Sequence, residues 1–205
     1  MQVPEFLDNA WGQFKFVCVI YCVGLMVEAL SPAQRTQPIR HISFNIAYSF
    51  VFFVLTALLV PPLQSITQIW ILTWGLAIPI AFSDGFLGQL GQGLTFLFIH
   101  DFFYYWFHRM RHTLPFLWAQ HKVHHSERSV NITTGNRHHW LEEPIRVFTV
   151  LLPIGFLFQQ KPVAIVGLWT ALGLWGYIIH MNLRVGFGPF TPVVGGPQLH
   201  RIHHS

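Results

Sequence analysis

The stretch FLFIHDFFYYWFHRMRHTLPFLWAQHKVHH, residues 96–125, runs from an apolar aromatic segment straight into histidines, five of them within residues 108–125. Their spacing is helical. In an α-helix residues i, i+3 and i+4 share a face, so H-x3-H at His108 and His112 aims two imidazoles one way. H-x2-H-H at His121, His124 and His125 aims three. The pattern recurs near the end of the chain as HRIHH, with His200, His203 and His204. The chain therefore reads as helices whose apolar bodies end in clustered imidazoles.

Working outward, the 205 residues are 52% hydrophobic and only 10% charged, with a positive mean hydropathy. A soluble domain carries about 25% charged residues. The expectation is an all-α fold, a polytopic membrane helical bundle with a histidine-rich di-metal site on its cytoplasmic side. Glu5 and Asp8, with no basic segment ahead of the first apolar run, argue against a cleaved signal peptide and for an anchor. Cys18 and Cys22 match no CxxC pattern and read as packing residues. A formal net charge of +4 points to an anionic membrane face and not to nucleic acid, because the basic residues lie between apolar segments.

Apolar runs occur at about 14–30, 43–60, 66–82, 93–107, 145–158 and 163–180. Arg35 and Arg40 follow the first, and Arg109, Arg111, Lys122, Arg128, Arg137 and Arg146 surround the first two histidine clusters, which places both loops in the cytoplasm by the positive-inside rule. Three runs between Arg40 and His108 are an odd number, so one is expected not to cross, with 93–107 the candidate for a shallow or re-entrant helix; a split or merger of runs is the alternative. The pair 145–158 and 163–180, joined by QQKP, reads as a hairpin returning to its own side.

Neutral imidazole is the commonest protein metal ligand, and nine of the thirteen histidines fall into four groups: the two clusters above, His180, and the last cluster. A tetrahedral ion needs four ligands, so nine suit two metals. None of the five glutamates is followed by histidine three residues on, and H-E-x-x-H is absent, which argues against a carboxylate-bridged bundle centre and a zinc metalloprotease. The plain alternative for the clusters is a basic interfacial loop. His41 reads as an ordinary surface histidine and His100 as a packing or hydrogen-bonding residue.

The order H-x3-H, H-x2-H-H and, after an apolar hairpin, H-x2-H-H, with HDFFYYWFHR ahead of the first box and HRIHHS as the last, resembles the fatty acid hydroxylase/sterol desaturase superfamily over roughly residues 93–205. That resemblance implies a membrane-embedded non-haem di-iron enzyme that hydroxylates, desaturates or demethylates a lipid or sterol with O2. Its metal ligands would be His108, His112, His121, His124, His125, His180, His200, His203 and His204. Composition reads as one membrane domain over 1–205, in which the resemblance makes 93–205 the histidine-box core and residues 1–92, merely compatible with it, are expected to be anchor helices. In NRHHWLEEP, His138 or His139 with Glu142 is similar to an Arg-x-His-x-x-Glu element of some members, either histidine being a tenth ligand or part of a polar loop. Members continue past the third box, so a shortened C-terminus is expected here.

Asp101, Glu142 and Asn182 are further site candidates, the two acids as groups that orient ligand histidines. The aromatic run Phe102, Phe103, Tyr104, Tyr105, Trp106 and Phe107 reads as an interfacial belt or as the lining of an apolar approach. Two iron ions are the expected cofactor, with zinc able to fill such sites in a purified sample. No G-x-G-x-x-G, C-x-x-C-H or iron–sulfur cysteine set is present, so electrons are expected from a cytochrome b5-like or ferredoxin-like donor with its reductase, docking around Arg109, Arg111, Lys122, Arg128 and Arg201. A histidine-rich metal transporter, a zinc-dependent membrane hydrolase and a bis-histidine haem protein are the competing classes. A transporter would spread its histidines and acids through the bilayer, and haem would show a Soret band.

Overall fold

A computed structural model describes residues 4–74, 85–158 and 163–205, with side chains described outside 159–166. The described residues are helical, with no strand among them and one isolated bridge between Pro32 and Leu183. The order is α1 (Glu5–Leu30), α2 (Ile39–Trp74), α3 (Phe86–Thr113), α4 (Pro115–His125), a 3-10 turn (Ile132–Asn136), α5 (Glu142–Arg146), a π turn (Val147–Leu151), α6 (Leu152–Leu157), α7 (Val163–Ile179), a 3-10 turn (Gly188–Phe190), α8 (Thr191–Val194) and α9 (Pro197–His203).

Prolines set the helix ends that carry the histidines. Leu114 is extended (φ −93°, ψ 122°), as the residue before a proline must be, so α3 stops at Thr113 and α4 starts on Pro115. The first box thus occupies the last two turns of α3 and the second the end of α4. Pro197 starts α9 in the same way, after Gly195 and Gly196, whose φ values of 72° and 118° suit glycine.

Two compact units emerge. The first comprises Met1–Ala57, Gln120–Trp140 and Gly173–Ser205. In it α1 presents Ala10, Val17, Tyr21 and Gly24 from one face to Phe52, Phe53, Ile132 and Met181. A Cβ on Gly24 would overlap the Ile132 side chain, so glycine permits this close approach. Polar residues His41, Asn45 and Ser49, spaced i, i+4 and i+8, form a stripe along α2; Asn45 and Ser49 are fully buried. The second unit comprises Leu58–Ala119 and Leu141–Leu172. Its core is Phe96, Phe107, Val150 and Ile154, packed by Ile99, Phe103, Phe158, Leu168 and Trp169. Both arms of the expected hairpin therefore contribute to one apolar cluster, while the QQKP connection lies outside the described residues.

Two expectations change. The runs at 43–60 and 66–82 are one helix as far as Trp74, continuous through Pro61 and Pro62, with the Ser65 hydroxyl donating to Pro61 O; residues 75–82 of the second run lie outside the described part. Run 93–107 belongs to a 28-residue helix, since the glycines of GQLGQG are themselves helical. His100 and Asp101 do not interrupt it. His100 stacks between Phe96 and Tyr104, at 6.0 and 5.7 Å between ring centroids, and meets the edge of Trp169 at 5.0 Å.

α1 and α2 are long and apolar enough to cross a membrane, and only 22% and 17% of their most apolar windows are buried. A soluble protein's core helix would be mostly covered. Leu30, Ile39 and Leu72 project apolar side chains outward, which reads as an integral membrane protein.

Candidate metal centre

In the first unit, His124 at the end of α4, His180 just past α7, His200 on α9 and His204 at its C-terminal cap converge, each offering one ring nitrogen within 4.8 Å of the others. His180 Nε2 lies 3.1 Å from His124 Nε2 and 2.9 Å from His200 Nε2, and His200 Nε2 lies 3.2 Å from His204 Nε2. His180 Nδ1 donates to Gly176 O at 2.5 Å, one helical turn back, so its single proton is committed there and its Nε2 carries a bare lone pair.

Protons alone satisfy this set poorly. His124 Nδ1 and His204 Nδ1 are buried without a hydrogen-bond partner. Four imidazoles in tetrahedral coordination at ~2.05 Å stand about 3.3 Å apart, close to the separations observed. The donor set therefore fits a first-row metal ion. Burial, and then the neighbouring imidazoles His138, His180 and others, holds the His124 pKa well below its ordinary value. Burial, and then His180 and His125, pushes His204 down to about 2. Both rings are thus neutral and competent as ligands at neutral pH. The unfolded chain takes up protons on these rings below about 6.5 while the folded chain does not, so stability is present above that pH and lost as pH falls from 6.5 toward 2. Unfolding in detergent followed from pH 7.5 to 4.5 is expected to show this loss; a flat profile would contradict it.

The other site residues fall as follows. His121 and His125 sit one turn apart with ring centroids at 4.8 Å, and His125 faces His203 at 4.8 Å and His204 at 4.3 Å. His138 stacks on His124 at 4.4 Å, its carbonyl accepting from Tyr48, whereas His139 stacks on Trp140. Of that pair, His138 is the one beside the four-histidine group. The Asn182 side chain accepts from Gln34 N and Arg201 and donates to Gln34 O.

In the second unit, His108 and His112 lie 4.8 Å apart on α3. Glu142 forms a buried ion pair with Arg111, whose Nη2 is 2.7 Å from His108 Nδ1. Since arginine only donates, His108 Nδ1 accepts. Asp101 is 72% exposed and pairs with His100 at 3.3 Å, which puts its carboxylate on the sequence neighbour and not on a histidine box. Phe103 and Phe107 pack in the core, while Phe102, Tyr105 and Trp106 are exposed.

Two docking residues are corrected. Arg111 is buried by its pairing with Glu142, and Arg201 is tied to Asn182 and Gln34, so neither offers a free cation to a partner. Arg109, Lys122 and Arg128 remain exposed.

His41 is likewise not an ordinary surface residue. Its Nδ1 bonds fully buried Glu127 at 2.8 Å. Burial works to raise the Glu127 pKa, but the Ser129 N–H, His41 and Asn45 together hold it below the ordinary carboxylate range. Arg137 joins Glu127, Asn45 and the Val123 carbonyl next to His124, so this network locks the end of α4. The i, i+4 spacing of His41 and Asn45 in an otherwise apolar helix was the available signal.

The model of the family described as "Fatty acid hydroxylase" matches residues 93–205, more than half of the chain. The chain belongs to that family, within the fatty acid hydroxylase/sterol desaturase superfamily. Among its relatives, alkylglycerol monooxygenase of Xenopus tropicalis is 34% identical over 112 residues, covering 55% of this chain and 24% of that protein. Ornithine lipid hydroxylase OlsE of Rhizobium tropici is 30% identical over 146 residues, covering 71% and 40%. Lathosterol oxidase of Rattus norvegicus is 28% identical over 127 residues, covering 60% and 41%. The matches thus span between a quarter and two fifths of these relatives. No solved structure matches the chain.

Proposed function

We propose that the chain is the metal-binding membrane core of an O2-dependent oxidoreductase that hydroxylates, desaturates or oxidatively demethylates a lipid or sterol. The observation that carries this reading is the convergence of His124, His180, His200 and His204 from three distant segments of a family member. The relatives named for lipid hydroxylation and sterol oxidation support the substrate class. By the resemblance, the nine box histidines hold two iron ions, of which this group would take one.

When bound, iron supplies the activation of O2 that breaks an inert C–H bond. The chain's own residues do the rest. His180 presents its lone pair because Gly176 O takes its proton. Arg111, paired with Glu142, holds the His108 ring by donating to Nδ1, which places the neutral ring's proton on Nε2, so His108 would bind metal only on loss of that proton. The histidine-bearing segments of the first unit interlock with 31–42 through Ala33–Asn182, Gln37–Asn131 and His41–Glu127 contacts, which supports one membrane face for all of them. Among the described residues α2 and α3 are the two helices between Arg40 and His108; if each crosses once, both ends return to one side, which we assign to the cytoplasm from the basic residues.

Reduction of O2 in a hydroxylation consumes two electrons and two protons and yields the alcohol and water; in a desaturation it yields the alkene and two waters. A cytochrome b5-like or ferredoxin-like donor with its reductase would supply the electrons, meeting Lys122 and Arg128 of the first unit. Reversing both charges is expected to lower donor-supported turnover severalfold and to flatten its salt dependence, with metal content unchanged. Unaltered salt dependence would remove these residues from the docking face.

The test of the function is to purify the chain in detergent, measure iron and its optical spectrum, and compare lipids of cells with and without the active gene. Iron without a Soret band, together with an oxidised lipid that vanishes on inactivation, is expected. A Soret band would favour the haem reading, and metal flux without lipid change the transporter.

A further inference from the structure

The segment from Glu28 to Gln34 precedes the family-matched region, yet it grips the two pieces of chain that carry His180, His200 and His204. Glu28 projects from the apolar helix α1 and is 3% exposed. One of its oxygens, Oε1, accepts two backbone N–H groups, from Ile132 at 2.7 Å and from Asn182 at 3.0 Å. Asn182 lies two residues beyond His180, where α7 has ended and no helical carbonyl is aligned to receive its N–H. Without an acceptor, two buried donors would be orphaned.

The rest of the segment repeats the grip. Ala33 N donates to Asn182 O at 3.0 Å, Gln34 N to Asn182 Oδ1 at 2.9 Å, and Asn182 Nδ2 returns a bond to Gln34 O at 2.8 Å. Pro32 bridges Leu183. Arg201, between His200 and His203 on α9, places Nη1 on Asn182 Oδ1 at 2.9 Å and Nη2 on Gln34 Oε1 at 3.0 Å. Two ligand-bearing segments, one following α7 and one on α9, are therefore indexed to the same seven residues.

We propose that residues 28–34 are a positioning clasp for the four-histidine group. Glu28 sets the backbone that follows His180, and Gln34, through Asn182 and Arg201, sets the face that α9 turns toward it. An acid on an apolar helix is costly; here Oε1 answers two backbone donors at once while Oε2 is buried without a hydrogen-bond partner, so the bonds to Ile132 and Asn182 are the structural reason for the residue. Ligand geometry tolerates displacements of only about half an ångström, so a grip made of short hydrogen bonds to both segments controls coordination. This inference rests on the metal reading above.

The test uses the full chain in detergent, with cobalt(II) as the probe, its affinity obtained by titration and its coordination from the visible absorption bands. Glu28→Gln retains an oxygen acceptor and is expected to stay within about threefold of the unaltered chain, with the same bands. Glu28→Leu removes the acceptor and is expected to weaken cobalt binding tenfold or more and to shift the bands, in the 10- to 100-fold range typical of residues that orient ligands. Gln34→Ala, which leaves the α1 face intact, is expected to shift the bands in the same direction; if Glu28→Leu is not recovered folded, this variant decides by the same two measurements. Variants that lower only the unfolding temperature, with affinity and bands unchanged, would overturn the clasp. Failure of the unaltered chain to bind cobalt would instead overturn the metal reading beneath it.

Discussion

His124→Ala is expected to lose metal from the four-histidine group and to abolish lipid oxidation while the chain still inserts in the membrane. Its ring is nearly inaccessible and touches His138, His180 and His204 at once, so its removal takes a nitrogen from the middle of the group. Loss of a group that merely orients a ligand weakens metal binding about 10- to 100-fold, and loss of a ligand should exceed that. Insertion depends on α1 and α2, which the substitution leaves alone. Metal per chain, measured by mass spectrometry beside the unaltered protein, checks this. Equal metal content would sink the assignment of His124. His139→Ala, by contrast, changes a ring that stacks on Trp140 and should leave metal content within error.

Glu142→Ala should be the most destabilising single change in the second unit. The carboxylate and Arg111 each expose only 4% of their side chains, and removing one partner of a buried pair typically costs about 3–5 kcal/mol because the remaining charge is stranded. The guanidinium also lies 4.6 Å from the centroid of the Phe107 ring and donates to His108, so its displacement should disturb the first box as well. Replacing both partners by leucine ought to cost far less than the single change, since no charge is then buried alone. Denaturant unfolding of the two single variants and the double variant checks the cycle. Additive losses would show that the pair does not act as a unit.

The imidazole boxes were legible because helical periodicity is local: once α4 and α9 are helices, H-x2-H-H can only present three rings to one side. The prolines at 115 and 197 that start those helices were equally visible. Less legible was α2, read as two runs over 43–60 and 66–82, yet one helix continues through Pro61 and Pro62 as far as Trp74. Polar residues within apolar segments were the main blind spot. His41 read as a surface histidine, and Glu28 and Asn45 drew no reading, because their partners lie far along the chain, at Glu127, Asn182 and Arg137. Arg111 and Arg201 dropped out of the docking set for the same reason, as a positive charge in sequence says nothing of the carboxylate or amide that will engage it.

Local repeats and composition thus determined, without any coordinates, that the chain is helical, lipid-facing and built to present imidazoles in groups. Which imidazoles share a centre was decided only by tertiary structure. His124 meets His180 and His204 because the ends of α4, α7 and α9 are brought together by contacts 20 to 154 residues apart in sequence. No periodicity encodes such long-range geometry. It follows from the requirement that every buried donor near those ends find an acceptor, which here means Glu28 for the backbone past His180, and Glu127 with Arg137 for the end of α4.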